Sequence, residues 1–120
     1  MIQISNNKQY DLEDRTLKFS KSVIEFTKHL PRTIENIEII KQLIRAVCSV
    51  GANYIEANEA LSKKDFLMRI KISKKEAKES IYWLNLIIVN NDADRNLRIK
   101  LINEATELMK ILGSILEKSK

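Results

Sequence analysis

The sequence predicts an all-α protein folded as an antiparallel up-down-up-down four-helix bundle. Two observations support this prediction. The 120 residues include only two glycines and one proline, and so few chain-breakers argue against an all-β or loop-rich fold. Apolar residues also recur at helical spacing in four stretches joined by short links. We therefore expect a single bundle domain at residues 11–120, preceded by a flexible arm at residues 1–10, where no periodicity is visible.

The first two helices are separated by Pro31, because the residue before a proline is disfavoured in the α conformation. Asp11 and Thr33 are suitable N-caps, so the first helix is predicted from Asp11 to His29 and the second from Thr33 to Ala60. The predicted core residues of the first helix are Leu12, Phe19, Val23, Phe26 and Leu30, and those of the second are Ile37, Ile40, Leu43, Ile44, Val47, Val50, Tyr54 and Leu61. Gly51 lies between Val50 and Tyr54 of the second helix. A glycine within a helix is unfavourable, so we expect it to permit close approach by another helix.

The third helix is predicted to begin after Ser62, a good N-cap, and to end near Val89. The run Asn90-Asn91-Asp92 is the clearest break in the chain and introduces the fourth helix. The predicted core residues of the third helix are Phe66, Ile70, Ala77, Ile81, Leu84 and Ile88, and those of the fourth are Leu97, Leu101, Ala105, Leu108, Leu112 and Ile115.

Composition argues against several functional classes. Cys48 is the only cysteine and His29 the only histidine, so the sequence offers neither an intrachain disulfide nor the Glu-x-x-His pairs of a di-metal bundle. It also lacks a glycine-rich phosphate loop and a Ser–His–Asp set. No apolar run approaches the roughly 20 residues of a membrane span, and the N-terminus has no signal-peptide pattern. We expect a cytoplasmic, non-enzymatic protein with no cofactor and no membrane association.

The net charge of the protein is concentrated in one segment. Residues 63–78 carry seven basic and two acidic side chains, a net charge of +5 that equals that of the whole chain. At about 100° per residue, six of these cations fall within roughly a third of the helix circumference, away from the core stripe, while Arg69 lies apart. We call these six the lysine arc: Lys63, Lys64, Lys71, Lys74, Lys75 and Lys78. The arc is either a solvated face or a binding surface for an anionic partner, nucleic-acid backbone or acidic protein.

A second unusual face lies on the second helix and consists of polar residues opposite its apolar stripe. We call it the polar row: Gln42, Arg45, Ser49, Asn53 and Glu56. Solvent faces usually favour Lys and Glu, whereas this row favours amides, a hydroxyl and one Arg–Glu combination. Three interpretations stay open: a plain solvent face, a subunit interface or structural hydrogen-bond row, and a small-molecule site.

The third and fourth helices carry apolar residues beyond their core stripes. On the third helix these are Met68, Ile72, Trp83 and Ile87, and on the fourth they are Ile102, Met109 and Leu116. A helix that is apolar on more than one side is either central in a core or buried in an oligomer. No helix is central in a four-helix bundle, so we expect a homo-oligomer.

The run Gln42–Ala57, QLIRAVCSVGANYIEA, resembles the central motif QLxRSxxSIxANIxEA of the bacterial four-helix bundle family, also called the 23S rRNA intervening-sequence protein family. Lys64-Asp65-Phe66 resembles the family's K-x-F element, and the segments KEAKE at residues 75–79 and Trp83-Leu84 resemble its KEAxE…WL element. Phe26–Pro31 is similar to the family's Leu-Pro ending of the first helix. The resemblance covers residues 11–116, with Ala46 where the pattern often has Ser.

The resemblance implies a bundle with no established activity, since members are encoded within insertions of ribosomal RNA genes or elsewhere in bacterial genomes. The accessory protein of diversity-generating retroelements is similar in fold, forms a pentameric barrel and is basic enough to bind nucleic acid and a reverse transcriptase. By analogy we expect a pentamer. The first hypothesis is RNA or DNA backbone binding through the lysine arc. The alternatives are a scaffold that docks an acidic or nucleic-acid-bound protein, and a small-molecule binder that uses the polar row.

Overall fold

The computed structural model describes the backbone of residues 2–120 and the side chains of residues 12–120. Over these residues it contains four helices: α1 (Ile2–Thr27), α2 (Ile34–Asn58), α3 (Lys63–Leu86) and α4 (Asp92–Lys118). Helix α2 packs against α1 and α3, and α4 packs against α3 and α1. The predicted all-α four-helix bundle is confirmed. Helix α1 begins at Ile2, so the predicted helix start at Asp11 was wrong by nine residues. The flexible arm at residues 1–10 stays a prediction.

Side chains in the links cap three of the helices. Thr33, Ser62 and Asn91 are the N-caps of α2, α3 and α4, and each accepts a hydrogen bond from the backbone N–H three residues later, at 3.1, 3.0 and 2.8 Å. Such caps satisfy backbone donors that the first turn leaves without partners. The caps predicted at Thr33 and Ser62 are confirmed.

Helices α1 to α3 end two or three residues before the predicted positions. At the end of α1, Leu30 N–H donates to the Thr27 carbonyl at 3.4 Å, a tight turn that removes the chain from α geometry before Pro31. At the end of α3, Ile87 is extended, and the next backbone N–H, that of Ile88, donates to the Asn36 side chain at 2.8 Å. A tertiary hydrogen bond therefore replaces further helix.

Most predicted core residues are buried, and the exceptions lie towards the helix ends. Ile37, Leu61, Ile88 and Leu97 are exposed, because a bundle leaves the ends of its helices and its links less covered. Conversely, Ile87 and Leu116, which the sequence assigned to surplus apolar surface, are buried in the chain's own core. That part of the argument for an oligomer was wrong.

Gly51 brings α1 and α2 together. A Cβ atom at this position would lie 3.0 Å from the Thr16 Oγ1 atom and 3.2 Å from its Cβ atom. This spacing leaves no room for a side chain unless Thr16 shifts. The prediction that Gly51 permits close approach by another helix is confirmed.

Asn36 clamps two links at one end of the bundle. Its side chain is fully buried. Its Nδ2 atom donates to the Pro31 and Ile88 carbonyls, both at 3.0 Å, and its Oδ1 atom accepts from the Ile88 N–H at 2.8 Å. The side-chain amide therefore connects the α1–α2 link to the α3–α4 link, with both ends of the amide satisfied.

Candidate nucleic-acid interface

The flank of α3 that faces α2 carries a network of paired charges. The Arg45 guanidinium lies 3.4 Å from carboxylate oxygens of both Glu76 and Glu79. Further along the contact, Arg69 Nη1 donates to Asn53 Oδ1 at 3.2 Å. These side chains come from antiparallel helices, so each bond fixes the register of α2 on α3.

The polar row is partly absorbed by this contact within the chain. Asn53 Nδ2 donates to the Ser49 carbonyl and hydroxyl oxygens at 3.0 and 2.9 Å, and Arg45 bonds to α3. Gln42 and Glu56 are exposed, and within residues 12–120 their side chains form no hydrogen bond or ion pair. The sequence indicated an Arg45–Glu56 combination within the polar row, but Arg45 instead pairs with Glu76 and Glu79 of α3. A role of this row in assembly stays a prediction.

Two serines add hydrogen bonds along α3. Ser73 Oγ is buried and donates to the Val50 carbonyl of α2 at 2.7 Å, and Ser80 Oγ donates to the Glu76 carbonyl at 2.8 Å. The Glu76 side chain is only 12% exposed, so Arg45 is its neutralising partner in a poorly hydrated position. Neither carboxylate partner of Arg45 was identified from the sequence. The sequence feature that could have identified them is the i, i+3 spacing of Glu76 and Glu79, which places both on one face of α3 outside the lysine arc.

The lysine arc occupies a different flank of α3. All six lysines are exposed, and within the described side chains none lies in an ion pair. Within the described residues the carboxylates of α3 form no ion pair with them: Glu76 and Glu79 bind Arg45, and Asp65 lies 4.0 Å from Arg69. The paired carboxylates and the lysine arc therefore lie on neighbouring flanks of one helix.

Lys74 places the arc beside α4. A Cβ atom built on Gly113 of α4 would lie 3.6 Å from both Cε and Nζ of Lys74, so the lysine side chain lies across the glycine. Towards the start of α3, a shallow groove of about 510 Å³ is lined by Lys63, Lys64, Leu67, Met68 and Lys71. The arc therefore combines exposed ammonium groups with a small apolar floor.

One aromatic residue of α3, Tyr82, lies at the end of the arc. Tyr82 is exposed and meets Trp83 edge-on, with ring centroids 5.0 Å apart. The Trp83 Nε1 atom is buried, and among residues 12–120 it donates to no acceptor. Surfaces that stack successive bases use several aromatic side chains. Tyr82 by itself at the end of the arc does not form such a surface, so the arc is better suited to backbone phosphates than to unpaired bases.

The opposite side of the bundle carries an apolar groove between α1 and α2. It measures about 330 Å³, and its lining includes Leu17, Ile24, Cys48 and Ile55. Nearby, burial raises the pKa of Tyr54 above 10.0, an effect that the Glu13 carboxylate reinforces and a hydrogen bond with Asn58 opposes. No cluster of three metal-ligating side chains occurs in the described part of the chain, and none of its helices has an apolar stretch that could cross a bilayer.

Comparison with known proteins assigns the family. The family model described as 23S rRNA-intervening sequence protein matches residues 8–114. The chain belongs to this family. Among solved structures it is similar to a protein of unknown function from the S23 ribosomal protein family of Bacteroides thetaiotaomicron VPI-5482, with 32% identity and a TM-score of 0.79. The alignment covers 92% of this chain and 98% of the other. No curated protein matches the sequence.

The family match spans both flanks of α3. The polar row and the paired carboxylates Glu76 and Glu79 lie within the matched segment, as does the whole lysine arc. Membership in the family explains the four-helix bundle. The surfaces to consider for function are these two flanks of α3.

Proposed function

We propose that this protein is a non-enzymatic, cytoplasmic homo-oligomer that binds the backbone of RNA or DNA through the lysine arc. The observation that carries the proposal is the separation of charge on α3: six exposed lysines without ion-pair partners in the described residues, next to carboxylates that arginines already neutralise. Like charges held this close repel one another, and an anionic partner relieves that repulsion.

The dimensions of the arc suit a nucleic-acid backbone. From Lys63 to Lys78 a helix rises about 22 Å at 1.5 Å per residue. Duplex DNA rises about 3.4 Å per base pair and carries two phosphates per pair, so the arc spans about six base pairs. Six backbone contacts would make binding strongly salt-dependent, with a loss of about 10³-fold between 50 and 200 mM salt.

The arc favours binding without base readout. Sequence recognition in duplex DNA combines several side-chain types, with arginine or lysine on guanine, asparagine or glutamine on adenine, and aspartate or glutamate on cytosine. The arc consists of lysines alone. Arg69, the nearest arginine on α3, is engaged with Asn53 and Asp65. We therefore expect similar affinities for unrelated sequences of equal length and strandedness.

The decisive experiment compares the affinities of two triple variants for labelled duplex RNA and DNA, measured by fluorescence anisotropy between about 50 and 200 mM salt. The first variant combines Lys71→Glu, Lys74→Glu and Lys78→Glu. The second, a matched control, combines Lys21→Glu, Lys100→Glu and Lys118→Glu, exposed lysines outside the arc. Each substitution lowers the charge by two, so both variants change from +5 to −1.

We expect the arc variant to lose most of its affinity and its salt dependence, and the control to lose much less. Equal losses would show a response to net charge alone and would overturn the assignment to the arc. If the wild-type protein retards no nucleic acid but an acidic protein partner binds it and is released by the arc variant, the scaffold hypothesis replaces this one.

The homo-oligomeric part of the proposal rests on the resemblance and on exposed apolar residues of α3. A chain of 14.0 kDa would give a pentameric ring of about five times that mass, and a twofold contact between two such rings would double it. In a symmetric ring the arc is repeated around the assembly, and the basic surface grows with the number of copies. Light scattering of the wild-type protein measures this directly, and a monomer at all concentrations would contradict it.

A further inference from the structure

The outward face of α3 carries a heptad-like row that the bundle does not use. Its members are spaced alternately by four and three residues, the spacing that lines one side of a helix in a coiled coil. We call it the outer stripe: Met68, Ile72, Lys75, Glu79, Tyr82 and Leu86. It lies between the lysine arc and the flank that faces α2, and shares Lys75 with the arc.

The apolar members of the outer stripe lie near its two ends and are largely open to solvent. Tyr82 is 60% exposed, Met68 48% and Leu86 46%, while Ile72 is half-buried. From Met68 to Leu86 the row extends about 27 Å along the helix. Exposed apolar residues grouped along one face of a helix indicate a surface that another helix can cover.

The order of residues along the outer stripe is self-complementary. When two copies run antiparallel, Met68 faces Leu86, Ile72 faces Tyr82, and Lys75 faces Glu79, each pairing occurring twice. Apolar residues then meet apolar residues, and opposite charges meet at the centre. This is the property required of an interface with twofold symmetry, in which the same patch serves both subunits.

We propose that α3 docks antiparallel on α3 of a second copy of this chain, with two Lys75–Glu79 ion pairs beside the twofold axis. Glu79 can serve both partners, since Arg45 of its own chain contacts only its Oε1 atom and leaves Oε2 for the lysine of the other copy. The internal pair with Arg45 also holds the carboxylate in place before docking.

The contact has a consequence for the lysine arc. Lys71 and Lys78 flank the outer stripe on one side, so antiparallel docking brings the two arcs next to each other across the axis. Their mutual repulsion weakens docking at low salt, whereas apolar burial and the ion pairs favour it. The docking requires no nucleic acid, and a twofold contact differs from the head-to-tail contacts of a ring.

A charge exchange tests this docking. Lys75→Glu alone places a carboxylate against Glu79 of the other copy on both sides of the axis, and Glu79→Lys alone places lysine against lysine. Each single variant should weaken association roughly 10- to 100-fold. An equimolar mixture of the two restores opposite charges across the axis and should associate, as should the double variant Lys75→Glu/Glu79→Lys.

The readout is particle mass by light scattering or sedimentation at equal protein concentrations. Any other contact in the assembly stays intact, so loss of the twofold contact halves the mass, and the mixture returns it to the wild-type value. Lys100→Glu, which has the same charge change on α4, should leave the mass unchanged. Leu86→Lys should halve it, whereas Ile99→Lys, at an exposed apolar position on α4, should not.

A wild-type mass that neither Lys75→Glu nor Glu79→Lys reduces would overturn the docking, as would failure of the mixture to associate after both single variants had dissociated. Circular dichroism of each variant verifies that the bundle is folded. Loss of nucleic-acid binding in the arc triple variant does not bear on this result, so the two proposals can fail separately.

Discussion

On its α2 side, helix α3 pairs its carboxylates with arginines, whereas its surface towards α4 and solvent carries six lysines without ion-pair partners in the described residues. The two flanks are made from the same sixteen-residue segment and its immediate continuation. The comparison shows that net charge does not reveal which charges are available for binding. The acidic residues of α3 already have partners within the chain, whereas the six lysines have no ion-pair partner among the described residues.

The two flanks also differ in what they contribute to stability. An exposed ion pair contributes only about 0–1 kcal/mol, but Glu76 is mostly covered, and loss of its partner leaves a poorly hydrated charge. Like charges three or four residues apart on a helix destabilise it by about 0.2–0.5 kcal/mol per pair. We therefore expect the α2 flank to stabilise the fold and the lysine arc to oppose it slightly.

The largest expected effect comes from breaking the clamp at the end of the α2–α3 contact. Asn36→Ala removes three side-chain hydrogen bonds and leaves the Pro31 and Ile88 backbone groups without partners. We expect the free energy of unfolding to fall by about 3 kcal/mol, measured by urea denaturation. The matched control is Asn85→Ala, whose exposed side chain bonds only within its own helix. Equal losses would mean that the clamp does not hold the two links.

The next effect tests the paired flank itself. Arg45→Ala leaves Glu76 and Glu79 without their cation, and we expect the free energy of unfolding to fall by about 1 kcal/mol, since Arg45 is half-exposed and its pairs are screened. Lys41→Ala is the control, because it breaks an exposed pair with Glu38 and should cost about 0.5 kcal/mol or less. A smaller loss for Arg45→Ala than for Lys41→Ala would contradict the proposed difference between the flanks.

Neutralising the lysine arc should raise the free energy of unfolding, whereas Arg45→Ala should lower it. The combination Lys71→Gln, Lys74→Gln and Lys78→Gln removes repulsion, so we expect the free energy of unfolding to rise by up to about 0.5 kcal/mol at low salt. In high salt the difference from wild type should disappear, because exposed charges are screened. The same three exchanges at Lys21, Lys100 and Lys118 supply the comparison. A loss of stability in the arc variant at low salt would show that its lysines have partners in solution.

The smallest expected effect on stability at neutral pH is that of Tyr54→Phe. Tyr54 lies away from both flanks of α3, so it serves as a reference that involves no ion pair. The pKa of Tyr54 is raised above 10.0 in the folded chain, so the folded state holds the phenolic proton more tightly than the unfolded state does. Stability from this group is complete below pH 10 and is lost as the pH rises through the folded pKa. Tyr54→Phe should therefore flatten the decline above pH 10, while Tyr82→Phe, at an exposed position, should not.

Sequence periodicity predicted the features that depend on one helix at a time. The lysine arc, the buried stripes and the caps at Thr33 and Ser62 are local patterns, and a helical wheel displays them. The contacts of Asn36 with Ile88 and of Arg45 with Glu76 join residues 52 and 31 positions apart. No spacing rule within one helix indicates which neighbouring helix a side chain will meet. Burial near the bundle ends was also predicted wrongly, because a helical wheel does not represent position along the helix axis.

Gly113 gives the arc a property that a count of charges does not convey. Because Lys74 lies across this glycine, with its Cε and Nζ atoms 3.6 Å from the place of a Cβ atom, we expect its side chain to sample fewer rotamers than a free surface lysine. Immobilising a lysine side chain costs up to about 2 kcal/mol of conformational entropy. An anion that meets Lys74 finds part of this ordering already complete, so the six cations of the arc are not equivalent. We expect first contact at Lys74, with the more mobile lysines on either side closing afterwards.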